Sequence, residues 1–193
     1  MRLRIQRSRK EDDLVKGCKK NDTLSQRAVY DGYSAKMLGV CFRYIKDSSE
    51  AEGVMIGGFT KVFNKIDQFK SDGSFEGWIR RIMVNESLVY LRKNKSMYLE
   101  VDICEVDREP NFQRLENNLE TQDLLNMIQD LPVGYRTIFN LYAIEGYSHK
   151  EIADQLEINV NTSKSQLSRA RKLLQNMLVE REGWVQKKLV SYE

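Results

Sequence analysis

Proline is scarce in this chain of 193 residues: Pro110 and Pro132 are the only two. Helices can therefore run long without interruption. The three cysteines, Cys18, Cys41 and Cys104, are odd in number and widely spaced. They form no CxxC pair and no Cys/His cluster of zinc-site spacing, so reduced thiols are expected and no metal site is. The one histidine, His149, stands at a predicted helix start without a nucleophilic Ser or Cys in its sequence context. Gly57-Gly58 sits inside a helical pattern with no Lys-Ser or Lys-Thr after it, so it is not a phosphate-binding loop. The carboxylates are scattered or lie on solvated faces. No cofactor and no catalytic centre are expected. There is no apolar run long enough to span a membrane. The basic start MRLRIQRSRK leads into no apolar segment, which excludes a secretory signal. A cytoplasmic protein is expected.

What is present is helical periodicity. Hydrophobic residues make up 41% and charged residues 31%, with a net charge of only +3. That charge says little about partners, but its distribution says more. Leu14, Val15 and Cys18 form a short apolar stripe, and Val29 to Ile45 a longer one, with a break at Asn21-Asp22. Asp47 or Ser48 is placed to cap a third helix, which runs to about Ile66 with Phe59, Val62 and Phe63 inward. Ser71-Asp72-Gly73-Ser74 signals a turn before a helix from Phe75 to Lys95. Periodicity then fails through LEVDICEVDREPNF, where Glu100, Asp102, Glu105, Asp107 and Glu109 outnumber Arg108. Helices resume at Leu119–Leu131, Gly134–Glu145, Ser148–Leu156 and Asn161–Arg181. The expected fold is all-α: two small helical domains joined by a flexible acidic linker. Its parts are a basic tail (1–10), a first domain (11–96), the linker (97–119), a second domain (120–181) and a C-terminal extension (182–193). Trp184, Val185, Leu189 and Val190 of that extension have the pattern to pack back on the second domain.

The segment YSHKEIADQLEINVNTSKSQLSRARKLL carries the strongest functional signal. It has the layout of two helices and a tight turn. Ser148 is placed as N-cap and Glu151 completes a capping box. Ile152, Ala153 and Leu156 face inward, and the small Ala153 permits a close crossing. Glu157-Ile158-Asn159 forms the turn, where a positive φ at Glu157 would be strained. Asn161 or Thr162 is expected to cap the second helix. That helix has no acid between Glu157 and Glu180. Thr162, Lys164, Ser165, Ser168, Arg169 and Lys172 are its candidate DNA contacts, since Arg and Lys reach guanine acceptors or phosphates in the major groove. A solvated amphipathic helix is the plainer alternative.

Two long stretches, FTKVFNKIDQFKSDGSFEGWIRRIMVNESLVYLRKNK and LPVGYRTIFNLYAIEGYSHKEIADQLEINVNTSKSQLSRARKLL, give the chain a family resemblance. It resembles the sigma-70 family, in particular the compact extracytoplasmic-function sigma factors (group 4), over about residues 11–180. The resemblance implies a transcription initiation factor in which domain 2 reads and melts the promoter −10 element and domain 4 reads the −35 element. Implied partners are bacterial core RNA polymerase, through its β′ clamp helices and β flap, promoter DNA, and an anti-sigma factor. By position, Phe69, Asp72, Ser74, Phe75, Trp78, Arg80, Arg81, Asn85 and Arg92 match the −10 segment. A captured base needs polar edges and a stacking surface, which Asp72, Ser74, Phe69 and Phe75 can supply, although Phe75 and Trp78 read more readily as core than as DNA contacts. The acidic linker resembles a segment that threads the RNA-exit path, though a plain tether fits equally.

The helix that grips polymerase departs from the family. Glu50, Glu52, Met55, Ile56 and Phe59 are its candidate contacts here. Gly53 and Gly57 stand where the family carries acids, and Ile56 where it carries Gln. Two alternatives to a fully competent sigma factor follow. One is a sigma factor with weakened polymerase binding. The other is a stand-alone helix-turn-helix regulator, which would have no need of the FEGWIRRIMVN segment.

Overall fold

The computed structural model describes residues 9–94 and 121–190. Their secondary structure is entirely helical. The chain divides into two compact units, Met1–Asn94 and Lys95–Glu193. The acidic linker and residues 1–8 of the basic tail lie outside the described residues.

In the first unit, α1 (Arg9–Lys19) turns at Asn21, which takes φ +56°, into α2 (Thr23–Phe42). The Asp22 carboxylate caps α2 by accepting from the Ser25 N–H at 2.9 Å. Asp47 caps α3 (Ser48–Asn64) in the same way, accepting from the Glu50 N–H at 2.9 Å. Helix α3 ends two residues short of Ile66, which instead opens a 3₁₀ turn, Ile66–Gln68. Ser74 then caps α4 (Phe75–Lys93) through the Gly77 N–H at 2.8 Å. Each cap satisfies a backbone donor that the first helical turn leaves without a partner. Helices α2, α3 and α4 bury Val29, Met37, Phe59, Val62, Ile79 and Met83, among others, in one core. Each large side chain so buried stabilises the unit by about 1.5–3 kcal/mol. Lys61–Glu86 and Lys36–Glu76 pairs, at 2.6 and 2.9 Å, tie α3 and α2 to α4 at the surface.

In the second unit, α5 (Thr121–Asp130) and α6 (Val133–Phe139) precede α7 (His149–Leu156) and α8 (Val160–Val190). The single helix expected over Gly134–Glu145 instead widens into a π-helical turn, Asn140–Ile144, closed by Glu145 N–H donating to the Asn140 carbonyl at 2.9 Å. Gly146, at φ +77°, then reverses the chain before Ser148. Met127, Ile128, Leu131, Tyr135, Ala170 and Leu174 form the core that seats α8. The backbone of α8 runs on through most of the C-terminal extension. The side chains of Trp184, Val185, Leu189 and Val190, expected to pack back, lie outside the described residues.

Candidate nucleic-acid interface

Helix α7 begins with a complete capping box. The Ser148 hydroxyl accepts from the Glu151 N–H, and the Glu151 carboxylate accepts from the Ser148 N–H at 2.8 Å. The helix stops at Glu157, which adopts the left-handed conformation (φ 57°, ψ 41°) normally left to glycine. Left-handed backbone costs an L-residue about 1–2 kcal/mol. Two residues on, the Asn159 side-chain oxygen accepts from the Asn161 N–H at 2.8 Å. The cap of α8 is therefore Asn159, not Asn161 or Thr162, and α8 starts earlier than its sequence pattern suggested. Short Asn side chains bond their own backbone two residues ahead, which favours this earlier start.

Ile152, Ala153 and Leu156 of α7 and Leu167 and Ala170 of α8 are buried, so the two helices cross on their apolar faces. The opposite face of α8 remains for a ligand. Lys164 and Ser165 are exposed, and Thr162, Ser168, Arg169 and Lys172 are half-buried. The Ser165 hydroxyl folds back on the Thr162 carbonyl at 3.1 Å. All six candidate residues thus lie along one helix, with no acidic side chain between them.

Sequence reasoning missed the residues beneath this face. Ser163 is fully buried, and its hydroxyl lies 2.9 Å from His149 Nδ1. The His149 ring stacks on Tyr142 with centroids 4.5 Å apart, and the Arg171 guanidinium sits 5.7 Å from the Tyr142 centroid. Burial, then the nearby Lys164 and Arg171 charges, hold the His149 pKa below its usual value. Ser163 falls on the buried face by helical periodicity, and a serine among leucines and alanines was the one available signal.

In the first unit, the loop after the 3₁₀ turn carries the candidate −10 residues. Asp72 is exposed, whereas the Ser74 hydroxyl is engaged as the cap of α4. Phe69 and Phe75 are 4% and 0% exposed, so neither offers the stacking surface expected of it. They pack on each other at 5.0 Å, and Phe69 packs on Trp78 at 5.3 Å. Ring burial outweighs an open platform in the free protein because each aromatic ring removes a large apolar area from water. Half-buried Trp78 is the aromatic left at the edge. Lys19 donates to the Phe69 carbonyl at 3.3 Å, fixing the loop's root from α1. Along α4, Arg81 and Asn85 are exposed and Arg80 and Arg92 half-buried.

The candidate polymerase face of α3 divides in two. Glu50 and Glu52 are exposed, and Ile56 is 50% exposed. Met55 and Phe59 are 3% and 2% exposed and belong to the core. Their i, i+4 spacing places both on the inner stripe of α3, so packing claims them rather than a partner. Burial of Tyr90 first, then the hydrogen bond between its phenol and the exposed Glu50 carboxylate, push the Tyr90 pKa up to about 12. Cys18 and Cys41 are buried free thiols.

Residues 29–97 match the family model for Sigma-70 region 2, and residues 121–174 match Sigma-70, region 4. The chain is 28% identical over 176 residues to the ECF RNA polymerase sigma factor SigW of Bacillus subtilis, covering 85% of this chain and 94% of that protein. It is 26% identical over 181 residues to the RNA polymerase sigma-H factor of Pseudomonas aeruginosa, covering 87% and 93%. It is 27% identical over 176 residues to the ECF RNA polymerase sigma-E factor of Escherichia coli, covering 84% and 91%.

Proposed function

The chain belongs to the sigma-70 family, in its extracytoplasmic-function group, and on that premise we propose how its surfaces divide the work. It is a transcription initiation factor: it binds core RNA polymerase and directs it to promoter −10 and −35 elements. In our reading α8 enters the major groove at the −35 element with Lys164, Ser165 and Arg169 leading. Thr162, Ser168 and Lys172 flank them on phosphate and backbone. Asp72, Trp78, Arg81 and Asn85 address the −10 strand, with Arg80 and Arg92 at its edge. Phe69 and Phe75 shape the loop from inside. Glu50, Glu52 and Ile56 form the polymerase-facing part of α3. An anti-sigma factor is a further proposed partner, and the cytoplasm the proposed place of work.

The mechanism needs no bond chemistry from this chain. Duplex contacts along α8 position polymerase, and binding energy for unpaired −10 bases offsets the cost of unstacking them. The observation that carries the reading is the pairing of two features. The helix-turn-helix presents an acid-free face, and a separate unit presents a polar loop at the head of a basic helix. A stand-alone repressor uses the first and has no use for the second.

Footprinting tests it. A random-sequence duplex pool is selected with the full chain bound to bacterial core RNA polymerase, and the enriched duplex is probed with permanganate. The expected result is protection upstream and reactive, unpaired thymines near the start site. Protection without core polymerase and with no unpaired thymines would support a stand-alone regulator instead.

A further inference from the structure

Two groups have no part in that reading: the fully buried Ser163 and the chain's single histidine. Both stand where α7, α8 and the π-helical turn meet. A serine hydroxyl in an apolar crossing is unfavourable unless it is hydrogen-bonded, and His149 Nδ1 lies 2.9 Å from it. The imidazole ring is in turn held flat against Tyr142, with Arg171 of α8 over the phenol ring. The contacts therefore leave α8 at Ser163 and return to α8 at Arg171, two helical turns further on.

We propose that His149 is a positioning residue for −35 recognition: through Ser163 and Tyr142 it fixes the rotation of α8 about its own axis and the direction of Arg171. This rests on the −35 reading above. A helix held only by apolar contacts can roll, because dispersion and burial have no direction. A hydrogen bond and a ring stack do have direction. Each residue advances about 100° around the helix axis, so a small roll moves Lys164, Ser165 and Arg169 together off their base edges.

The same placement gives a signature that simple packing lacks. The charged groups acting on His149 are Lys164 and Arg171, both cationic, while Tyr142 and Ser163 are neutral partners. Duplex phosphates near Lys164 and Arg171 cancel part of the field that disfavours imidazolium. Binding therefore takes up a proton. In the free chain burial and these two charges hold the His149 pKa below its usual value, and the duplex phosphates are expected to raise it. Affinity rises as pH falls through the window between those two values and levels off once both states are protonated.

The test uses the full chain bound to core polymerase and the duplex that the wild-type complex selects from the random pool. His149→Phe keeps the stack and loses the hydrogen bond. Ser163→Ala removes one oxygen and keeps the stack, so it carries the test if His149→Phe does not fold. Each single variant is expected to bind up to about fivefold more weakly, because the rotation of α8 that the contact fixes in the free chain must then be fixed on binding. The double variant is expected to bind no worse than the weaker single variant. His149→Phe is expected to lose the wild type's gain in affinity as pH falls through and below the ordinary histidine range, measured as a difference on the same polymerase. Singles that bind like wild type with an unchanged pH profile, or losses that add in the double, overturn the inference alone. A wild-type complex that enriches no upstream element overturns the −35 reading and this inference with it.

Discussion

Gly58 of α3 lies against Met83 of α4: a Cβ on Gly58 would collide with the Met83 sulfur, so that fully buried side chain would have to shift. That contact sets how closely α3 and α4 pack. The neighbouring glycines of α3 behave otherwise. Gly53 and Gly57 have no atom within 4 Å of where a Cβ would stand. One helix thus carries one glycine packed against a neighbouring side chain and two that face open space.

Substitutions on α3 should accordingly have opposite signs. Gly58→Val overfills the core and should destabilise the unit by about 2 kcal/mol. Gly53→Ala and Gly57→Ala should each stabilise it by up to about 1 kcal/mol, since glycine is a poor helix former. Thermal unfolding of the three variants checks this. A drop in stability from either alanine would mean that these positions are packed after all.

The open glycines also leave room to restore the family's side chains. Gly53→Asp with Ile56→Gln and Gly57→Asp should fold and should bind core polymerase roughly tenfold more tightly, from about 1.5 kcal/mol of new charge pairing. Titration of labelled polymerase compares the two chains. Equal affinity would show that the exposed Glu50, Glu52 and Ile56 already suffice.

On α8, Lys164→Ala and Arg169→Ala should lower transcription that depends on the −35 element. Lys164→Ala should also reduce the salt dependence of duplex binding by about 0.9 in the log–log slope if Lys164 touches one phosphate. Arg169→Ala should weaken binding about tenfold if the guanidinium reads a base edge. Unaltered promoter choice in both variants would remove α8 from the recognition role.

Tyr90 should ionise late in an alkaline titration, near 12. Its folded pKa lies above the unfolded value. The stability it contributes is therefore whole below about pH 10 and is lost as pH rises from there through about 12. Glu50→Gln removes a charge that opposes ionisation and should bring the midpoint down. Absorbance titration beside Tyr90→Phe identifies the group, and a midpoint unmoved by Glu50→Gln would break the Glu50–Tyr90 link.

Much of this was legible in the sequence because the signals were local. Asp47, one of two candidates for its cap, and the Ser148–Glu151 box announce helix starts through bonds spanning three residues, whereas the turn ending at Ser74 was legible but its capping role was not. The strain at Glu157 could be foreseen because a tight turn between two helices demands a left-handed residue there. What depended on distant partners was not legible. Phe75 read more readily as core than as a DNA contact, and its full burial agrees, but only the fold shows its ring turned on that of Phe69. Met55 and Phe59 share a stripe with the inner face of α3, yet the resemblance placed them on a partner surface. The π-helical turn at Asn140–Ile144 leaves no mark on periodicity that a regular helix would lack. The Ser163–His149 contact spans 14 residues and two helices, beyond any local rule.

The most direct test is transcription in a purified system. Core polymerase, the selected promoter and the full chain should together give transcripts from one start site. Mutating either the −10 or the −35 element should abolish them, and core alone should give none. A chain that binds the same duplex but yields no specific transcript with core polymerase would contradict the account and leave a DNA-binding regulator in its place.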